Sequence, residues 1–184
     1  MSRSEDKIVK AFNDLLLKKP FNKITVKDIV EESGVHRNTF YYHYQDIPSL
    51  LQYFVQSKID VYKADPRTED TLLESMRPVV ADMQENKKIL MNLYNSVEKD
   101  MLMRGIRSTC AWFVDRQINE RVKRGLVAPE YRDMMAKFQA AMATGVVIDW
   151  MECQMEYDLI EEVSRFNEVF VKEICKGESL GEFE

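Results

Sequence analysis

Hydrophobic residues recur at intervals of three or four along most of the chain, which is the spacing of helices with one buried face. The N-terminal stretch opens with the capping-box pattern Ser2-x-x-Glu5. Five apolar residues follow at helical spacing: Ile8, Ala11, Phe12, Leu15 and Leu16. This pattern predicts a first helix from about residue 3 to Lys19, ending before Pro20.

Two short helices are predicted next. Thr25-x-x-Asp28 is a capping-box pattern that begins a second helix, and Gly34 ends it, because glycine readily adopts the left-handed conformation. Only two residues separate Gly34 from another helical segment, Arg37 to Tyr44. Two short helices joined by a tight glycine-containing turn form a helix-turn-helix motif.

The rest of the chain also has helical periodicity. Asp46 is a suitable N-cap for a fourth helix reaching about Ala64, and Asp65-Pro66 marks the best boundary. Further helices are predicted over about 69–86, 87–95, 97–124 and 129–156, and from Leu159 onward. We therefore expect an all-α protein of about nine helices, with a three-helix helix-turn-helix domain over 1–47, a connecting helix over 48–65 and a C-terminal helical domain over 66–184.

Composition supports a globular helical protein and excludes several classes. The 184 residues are 45% hydrophobic and 31% charged, with only six glycines and five prolines, which disfavours a turn-rich β-fold. Because no run of about 18 apolar residues exists and the N-terminus is polar, we expect no membrane span and a cytoplasmic protein. The widely spaced Cys110, Cys153 and Cys175 lack a C-x-x-C pair, so we expect buried thiols, with a redox sensor as the alternative, and neither metal nor cofactor.

Charge is distributed unevenly. The net charge is -5, but residues 1–47 carry a balance of +1 and residues 48–184 a balance of -6. Both histidines, His36 and His43, also lie in the first part. The asymmetry is compatible with a small part that approaches an anion and a larger acidic part that does not.

The segment Arg37 to Tyr44 has a core-facing side and a polar side. Phe40 and Tyr44 are expected to face the core, which leaves the other side to Arg37, Asn38, Thr39, Tyr41 and His43. Arg can form two hydrogen bonds to guanine, Asn can do so to adenine, and a Thr methyl can contact thymine. The chemistry therefore favours DNA binding, although such an aromatic cluster also occurs at the rim of an ordinary core.

The run ITVKDIVEESGVHRNTFYYHYQDIPSLL resembles the DNA-binding domain of the tetracycline-repressor (TetR) family, over residues 8 to about 55. The resemblance implies that Lys27 reaches a base or phosphate and that Arg37, Asn38 and Thr39 read bases. It also implies that Tyr41, Tyr42 and His43 contact the DNA backbone.

Two positions depart from the family pattern. Ile47 stands where a phosphate-gripping Lys is usual, which removes one expected anchor. His36 stands where Ser or Thr commonly caps the recognition helix. It is either an indifferent cap or, when protonated, a phosphate contact.

The segment 138–166 resembles the last two helices of compact TetR regulators, which pair with their symmetry mates in a dimer. Ala141 and Gly145 are small residues four apart that allow another helix to approach closely. With Trp150, Phe166 and Phe170 they form the expected dimer interface. Alternatively, Ala141 and Gly145 contact only helices of their own chain.

Ten of the eleven methionines fall between Met76 and Met155. Flexible thioethers adapt to different ligand shapes. The candidate lining of a ligand pocket is Met83, Met91, Met101, Met103, Trp112 and Phe113, with ordinary core as the alternative. Arg107 and Asp149 are either polar handles for a ligand or surface groups.

These features favour a homodimeric DNA-binding transcriptional regulator, expected to be a repressor that an unknown small apolar or amphipathic effector releases from a palindromic operator. A second hypothesis is an activator or co-regulator whose C-terminal domain binds a protein partner. An enzyme is disfavoured, because neither a P-loop nor an H-E-x-x-H pattern is present.

Overall fold

The computed structural model describes residues 3–64 and 71–173. Those residues contain nine α-helices and no β-strand, which confirms the all-α expectation. The helices are α1 (Arg3–Lys18), α2 (Val26–Ser33), α3 (Arg37–His43), α4 (Ile47–Lys63), α5 (Leu72–Glu85), α6 (Lys87–Tyr94), α7 (Lys99–Lys123), α8 (Arg132–Glu152) and α9 (Leu159–Glu173). Single 3-10 turns precede α2 and α8, at Phe21–Lys23 and Pro129–Tyr131. Ser2, Asp65-Pro66, Cys175 and the tail from Gly177 lie outside the described residues.

The second and fourth helices begin where their caps predict. The Thr25 hydroxyl accepts the Asp28 amide at 3.2 Å, and the Asp28 carboxylate accepts the Thr25 amide at 2.7 Å. Asp46 makes the same reciprocal arrangement with Ser49 at the start of α4. Gly34 ends α2 in the left-handed conformation with φ 66°. These local interactions set where α2 begins and ends and where α4 begins.

One continuous core runs through the described helices. It extends from Ile8 and Phe12 of α1 to Leu159 and Ile160 of α9. The α7 and α8 helices pack most extensively on each other, α4 packs on α7, and α6 packs on α1. The helix-turn-helix segment therefore rests on the larger helical part through α1 and α4.

The α8 helix ends earlier than its sequence pattern predicts, at Glu152 and not near residue 156. Gln154 and Met155 adopt left-handed conformations with φ 56° and 54°, which an α-helix cannot include. The Trp150 indole N–H donates to the Tyr157 carbonyl oxygen at 2.8 Å and so braces the turn. This boundary coincides with a local side-chain contact to the backbone seven residues further on, which the hydrophobic periodicity does not reveal.

Candidate nucleic-acid interface and ligand cavity

The start of α3 presents polar side chains to solvent. Arg37 and Asn38 are exposed, Thr39 is half-buried, and Phe40 on the opposite side of the helix is completely buried. Tyr44 is also buried, and it follows the helix as an extended residue. The two aromatic anchors thus orient α3 so that its N-terminal residues point away from the core.

The α3 surface is partly organised before any ligand binds. The Arg37 guanidinium donates to the Tyr41 hydroxyl at 3.2 Å and lies 5.6 Å from the centroid of that ring. Tyr42 is 84% exposed, more than any other large apolar or aromatic side chain described, and faces solvent beside Tyr41. A solvent-exposed tyrosine of this kind has its hydroxyl available to a phosphate.

His36 and Lys27 flank this surface. His36 occupies the N-cap position of α3, and its side chain makes no capping hydrogen bond. Its carbonyl oxygen accepts the amides of Thr39 and Phe40 at 2.9 and 3.2 Å. Lys27 is exposed in the first turn of α2, with its ammonium group 3.8 Å from Glu31. Because that ion pair is solvent-exposed, it holds Lys27 only weakly.

His43 connects the end of α3 to α1. Its Nε2 atom lies 2.9 Å from the Ser4 hydroxyl oxygen, across 39 residues of sequence. The side chain is half-buried, so its contact to α1 orients the ring. His43 therefore has a structural contact in addition to the DNA role that the sequence predicts for it.

Asn92 of α6 joins the larger helical part to the end of α1. Its Nδ2 group donates to the carbonyl oxygens of Leu16 and Lys19, both at 2.8 Å. Its Oδ1 atom accepts the amide of Phe21, also at 2.8 Å. One side chain thus satisfies three backbone groups where α1 ends, and no feature of the sequence pattern had indicated this residue.

A cavity of about 100 Å³ lies among α4, α5, α6 and α7. Its walls include Val55 and Ile59 of α4, Val79 and Val80 of α5, Leu93 of α6 and Ile106 of α7. Leu93 is the sequence neighbour of Asn92, which bonds to the end of α1. Phe54, another wall residue, makes an edge-to-face contact with Phe12 of α1, with the two ring centroids 5.7 Å apart. The cavity therefore has two direct structural connections to α1.

A polar cluster borders the cavity. Asp82 accepts hydrogen bonds from the Tyr62 hydroxyl and, at 3.1 Å, from the Asn86 side-chain amide. The Lys58 ammonium lies 4.0 Å from the same carboxylate. Burial, followed by the contact with Asp82, raises the pKa of Tyr62 above its usual range, so the phenol stays protonated and donates.

The cavity differs from the predicted ligand pocket. Of the six candidate residues, Met83 lines it, whereas Met91, Met101, Met103, Trp112 and Phe113 do not. The reason is helical geometry: α7 turns Leu102, Gly105, Ile106, Thr109 and Cys110 toward α4 and α5, while Met103 and Trp112 are on other sides of the helix. The lining of this cavity contains few methionines and comes largely from valine, leucine and isoleucine, and a ligand role for the other five candidates stays a prediction.

Gly105 allows α4 and α7 to approach closely beside this cavity. A Cβ atom at this position would lie 3.0 Å from Val55 Cγ1 and 3.3 Å from Ile59 Cδ1. Arg107, two residues further, is exposed and does not line the cavity. Asp149 is exposed too and accepts the Tyr157 hydroxyl at 3.1 Å, so neither residue serves this cavity as a polar handle.

An apolar surface runs along α8, where Met134, Phe138 and Met142 are more than half exposed. On α9, Phe166 is 51% exposed. Ala141 is exposed in the same stretch, and a Cβ atom at Gly145 would meet nothing within 4 Å. Ala141 and Gly145 therefore do not contact a helix of their own chain, contrary to the alternative that their small size had left open.

Trp150 does not belong to this surface. It is completely buried within its own chain and donates to the Tyr157 carbonyl oxygen, so a second chain cannot reach it. The sequence-based placement of Trp150 in a dimer interface is therefore corrected to the core beneath α8 and α9. The side chain of Phe170 lies outside the described residues, and its predicted role stays a prediction.

Two features that would indicate another kind of site are absent from the described part of the chain. Within residues 3–64 and 71–173, no helix combines the length and apolarity that a membrane crossing requires. The same residues contain no cluster of three or more His, Cys, Asp or Glu side chains suited to a metal ion. Cys110 is buried as expected, whereas Cys153 is exposed because it follows the end of α8, which corrects the expectation of a buried thiol there.

Two family profiles match the chain. The one described as bacterial regulatory proteins, tetR family, matches residues 8–54. The one described as transcriptional regulator C-terminal region matches residues 70–172. Together they cover most of α1, all of α2 and α3, about the first half of α4 and nearly all of the region from α5 to α9. No curated protein matches the chain.

Solved structures of regulators share the fold at low sequence identity. The dihydroxyacetone kinase operon activator DhaS is 17% identical with a TM-score of 0.73, covering 96% of this chain and 99% of its own. A putative TetR-family regulator from Syntrophomonas wolfei is 19% identical with a TM-score of 0.63, covering 97% and 98%. FadR from Bacillus subtilis, solved with stearoyl-CoA, is 14% identical with a TM-score of 0.62, covering 90% and 96%.

Proposed function

We propose that this chain, which belongs to the tetR family of bacterial regulatory proteins, binds a palindromic operator as a homodimer. It releases the operator when a small apolar or amphipathic molecule occupies the α4–α7 cavity. The observation that carries the proposal is the exposure of Arg37 and Asn38 above the buried Phe40. This arrangement leaves the N-terminal end of α3 open to the major groove.

Each exposed group has a role that its chemistry supports. Arg37 and Asn38 read guanine and adenine through paired hydrogen bonds, and the Thr39 methyl contacts thymine. The phosphate contacts come from Lys27, His36, Tyr41, Tyr42 and His43. Arg37 must leave the Tyr41 hydroxyl to reach a base, an exchange of one exposed hydrogen bond for two at the guanine edge.

Dimerisation uses the apolar surface of α8 and α9. Phe138 and Phe166 are 67% and 51% exposed, which is unusual for such large apolar side chains unless a partner covers them. Ala141 and Gly145 between them let a second helix approach closely. Two-fold pairing presents two α3 helices to successive major grooves about 34 Å apart.

Coupling between the cavity and DNA runs through two contacts with α1. A ligand that displaces Phe54 also displaces its ring partner Phe12, and one that displaces Leu93 moves Asn92, which holds the end of α1. A ligand that prefers the non-DNA state by about 100-fold shifts the equilibrium by about 2.7 kcal/mol. Movement of α1 and α4 then changes the spacing of the two α3 helices.

A protein partner in place of a small molecule is the competing function. DhaS, whose fold this chain shares, is described as an operon activator, so the sign of regulation differs among proteins of this fold. The cavity among α4 to α7 favours a small-molecule effector here, because a regulator controlled by protein contacts alone does not need one.

A mobility-shift assay tests the DNA half of the proposal. The probes are the DNA upstream of the protein's own gene, a scrambled version of it, and DNA upstream of any divergent neighbour. We expect Arg37→Ala to weaken operator binding by about 1–3 kcal/mol for each half-site and to relax sequence preference. Arg107→Ala removes an exposed arginine of α7 and serves as the matched control. Equal binding to operator and scrambled DNA, or equal effects of the two variants, would contradict the proposal.

A further inference from the structure

We infer that the α4–α7 cavity selects a small uncharged hydrocarbon-like molecule, about the size of one aromatic ring, and excludes charged ligands. The inference rests on the proposed function and narrows the class of effector. It follows from the size of the cavity, the nature of its walls and the state of the polar groups beside it.

Size sets the first limit. The cavity measures about 100 Å³. A dry apolar cavity of about 150 Å³ in another protein accepts benzene. Met76 and Met83 are in the walls, and their flexible thioethers can adjust by the volume of a methyl group or two. One ring or a short branched alkane therefore fills this volume, and a long acyl chain would extend beyond it.

The walls set the second limit. Aliphatic side chains from four helices surround the space, with Val79 and Val80 on one side and Leu102 and Ile106 on another. All four are at most 9% exposed. Transfer of hydrocarbon surface from water into this site is favourable by about 25 cal/mol of free energy for each Å² buried.

The polar groups set the third limit, because each already has a partner. Asp82 is bonded by Tyr62 and Asn86 and faces Lys58, while the Thr109 hydroxyl donates to the Gly105 carbonyl oxygen at 2.9 Å. Lys58 and Asp82, the two charged side chains among the described lining residues, carry opposite charges and face each other at 4.0 Å. A carboxylate, phosphate or ammonium group entering here would lose its hydration without gaining an unoccupied partner.

These limits separate this chain from the Bacillus subtilis regulator solved with stearoyl-CoA. A long-chain acyl-CoA combines a chain too long for this cavity with a multiply charged head group. The shared fold therefore does not extend to a shared ligand class.

Cys110 provides a direct reporter of occupancy. It lines the cavity and is 2% exposed, whereas Cys153 is exposed elsewhere. In the full chain carrying Cys153→Ser and Cys175→Ser, the remaining thiol is modified with neutral methyl methanethiosulfonate or with its anionic sulfonatoethyl analogue, and the rates are measured by mass spectrometry. We expect the neutral reagent to react at least tenfold faster, relative to its rate with free cysteine, than the anionic one.

Toluene and hexanoate are the two ligand probes. Toluene at ten times its dissociation constant should slow modification of Cys110 about tenfold and raise the thermal midpoint, because it occupies the same space. Hexanoate at the same concentration should do neither. Val147→Phe places a ring in the cavity wall and should abolish the toluene effect. If this variant does not fold, the comparison of toluene with hexanoate on the folded reporter protein still tests the inference.

Protection by hexanoate equal to that by toluene would overturn the inference, as would the absence of protection by toluene at its solubility limit. Both measurements are made without DNA, so they are independent of operator binding. Toluene binding without sequence-specific DNA binding would leave the ligand inference intact and remove the regulatory proposal. Operator binding without toluene binding would remove the ligand inference and leave the DNA-binding proposal intact.

Discussion

The amide of Phe21 donates to Asn92 Oδ1 at 2.8 Å across 71 residues of sequence. The same side chain also donates to Leu16 and Lys19, so all three hydrogen bonds converge where α1 ends. The α6 helix, which has eight residues, also supplies wall residues to the cavity. One short helix therefore contacts both the end of α1 and the cavity.

Removing this contact should destabilise the fold locally. Asn92→Leu leaves one backbone donor and two acceptors near α1 without their side-chain partner, and each buried unsatisfied group costs about 1–3 kcal/mol, less where water replaces the amide. We expect a loss of about 2 kcal/mol in the free energy of unfolding and faster hydrogen exchange at the Phe21 amide. Asn95→Leu is the control, since the Asn95 amide bonds only to Met91 within its own helix end at 2.9 Å. Equal losses in both variants would refute the bridging role.

The Thr25–Asp28 capping box should give the protein an acid-sensitive element. Hydrogen bonds from Lys19 and then from Thr25 lower the pKa of Asp28 from 3.8 to about 2. A carboxylate with a lowered folded-state pKa stabilises the protein above its unfolded pKa, and this contribution disappears as pH falls through the folded value. The stability difference between the wild type and Asp28→Asn should therefore shrink between about pH 4 and pH 2. Denaturant unfolding at several pH values measures it, with the exposed Glu85→Gln as control; a difference independent of pH would count against the predicted linkage.

The approach of α4 to α7 at Gly105 should tolerate no added methyl group. In Gly105→Ala the new Cβ atom would lie 3.0 Å from Val55 Cγ1 and 3.3 Å from Ile59 Cδ1, so these α4 side chains must move by a few tenths of an ångström. Overpacking costs about 1–3 kcal/mol, which exceeds the gain of about 1 kcal/mol from replacing glycine within a helix. We expect a net loss of about 1 kcal/mol by chemical denaturation and a changed operator affinity. Ser108→Ala on the exposed side of α7 should be neutral or slightly stabilising, and Gly105→Ala should not match it.

The α8–α9 surface should hold two chains together. Phe138→Glu places a charge in the centre of the apolar surface, where desolvation of the carboxylate opposes pairing. Analytical ultracentrifugation should show a dimer for the wild type and a shift of at least tenfold toward monomer for the variant. Val97→Glu changes a side chain that is 82% exposed but lies between α6 and α7, and it should stay dimeric. A monomeric wild type would remove the dimer proposal altogether.

Local signals in the sequence determined most of the helices and the orientation of α3. The capping residues Thr25 and Asp46 and the left-handed Gly34 act within a few residues of themselves, so their effects can be read directly from the chain. The alternation of buried Phe40 with exposed Arg37 and Asn38 follows from helical periodicity alone. The candidate DNA-contacting residues therefore came from the sequence.

Only the tertiary structure decided where the apolar side chains of the C-terminal helices lie. Met103 and Trp112 are residue types expected in a ligand pocket, but helix packing turns them away from the cavity. Trp150 has the size expected of an interface residue, but its indole N–H donates to the Tyr157 carbonyl oxygen in the core. Asn92 has no distinguishing neighbours in the sequence, because its three partners lie more than 70 residues away. Helical periodicity says which side of a helix is apolar, whereas the mutual rotation of nine helices decides whether that side faces the core, a cavity or a second chain.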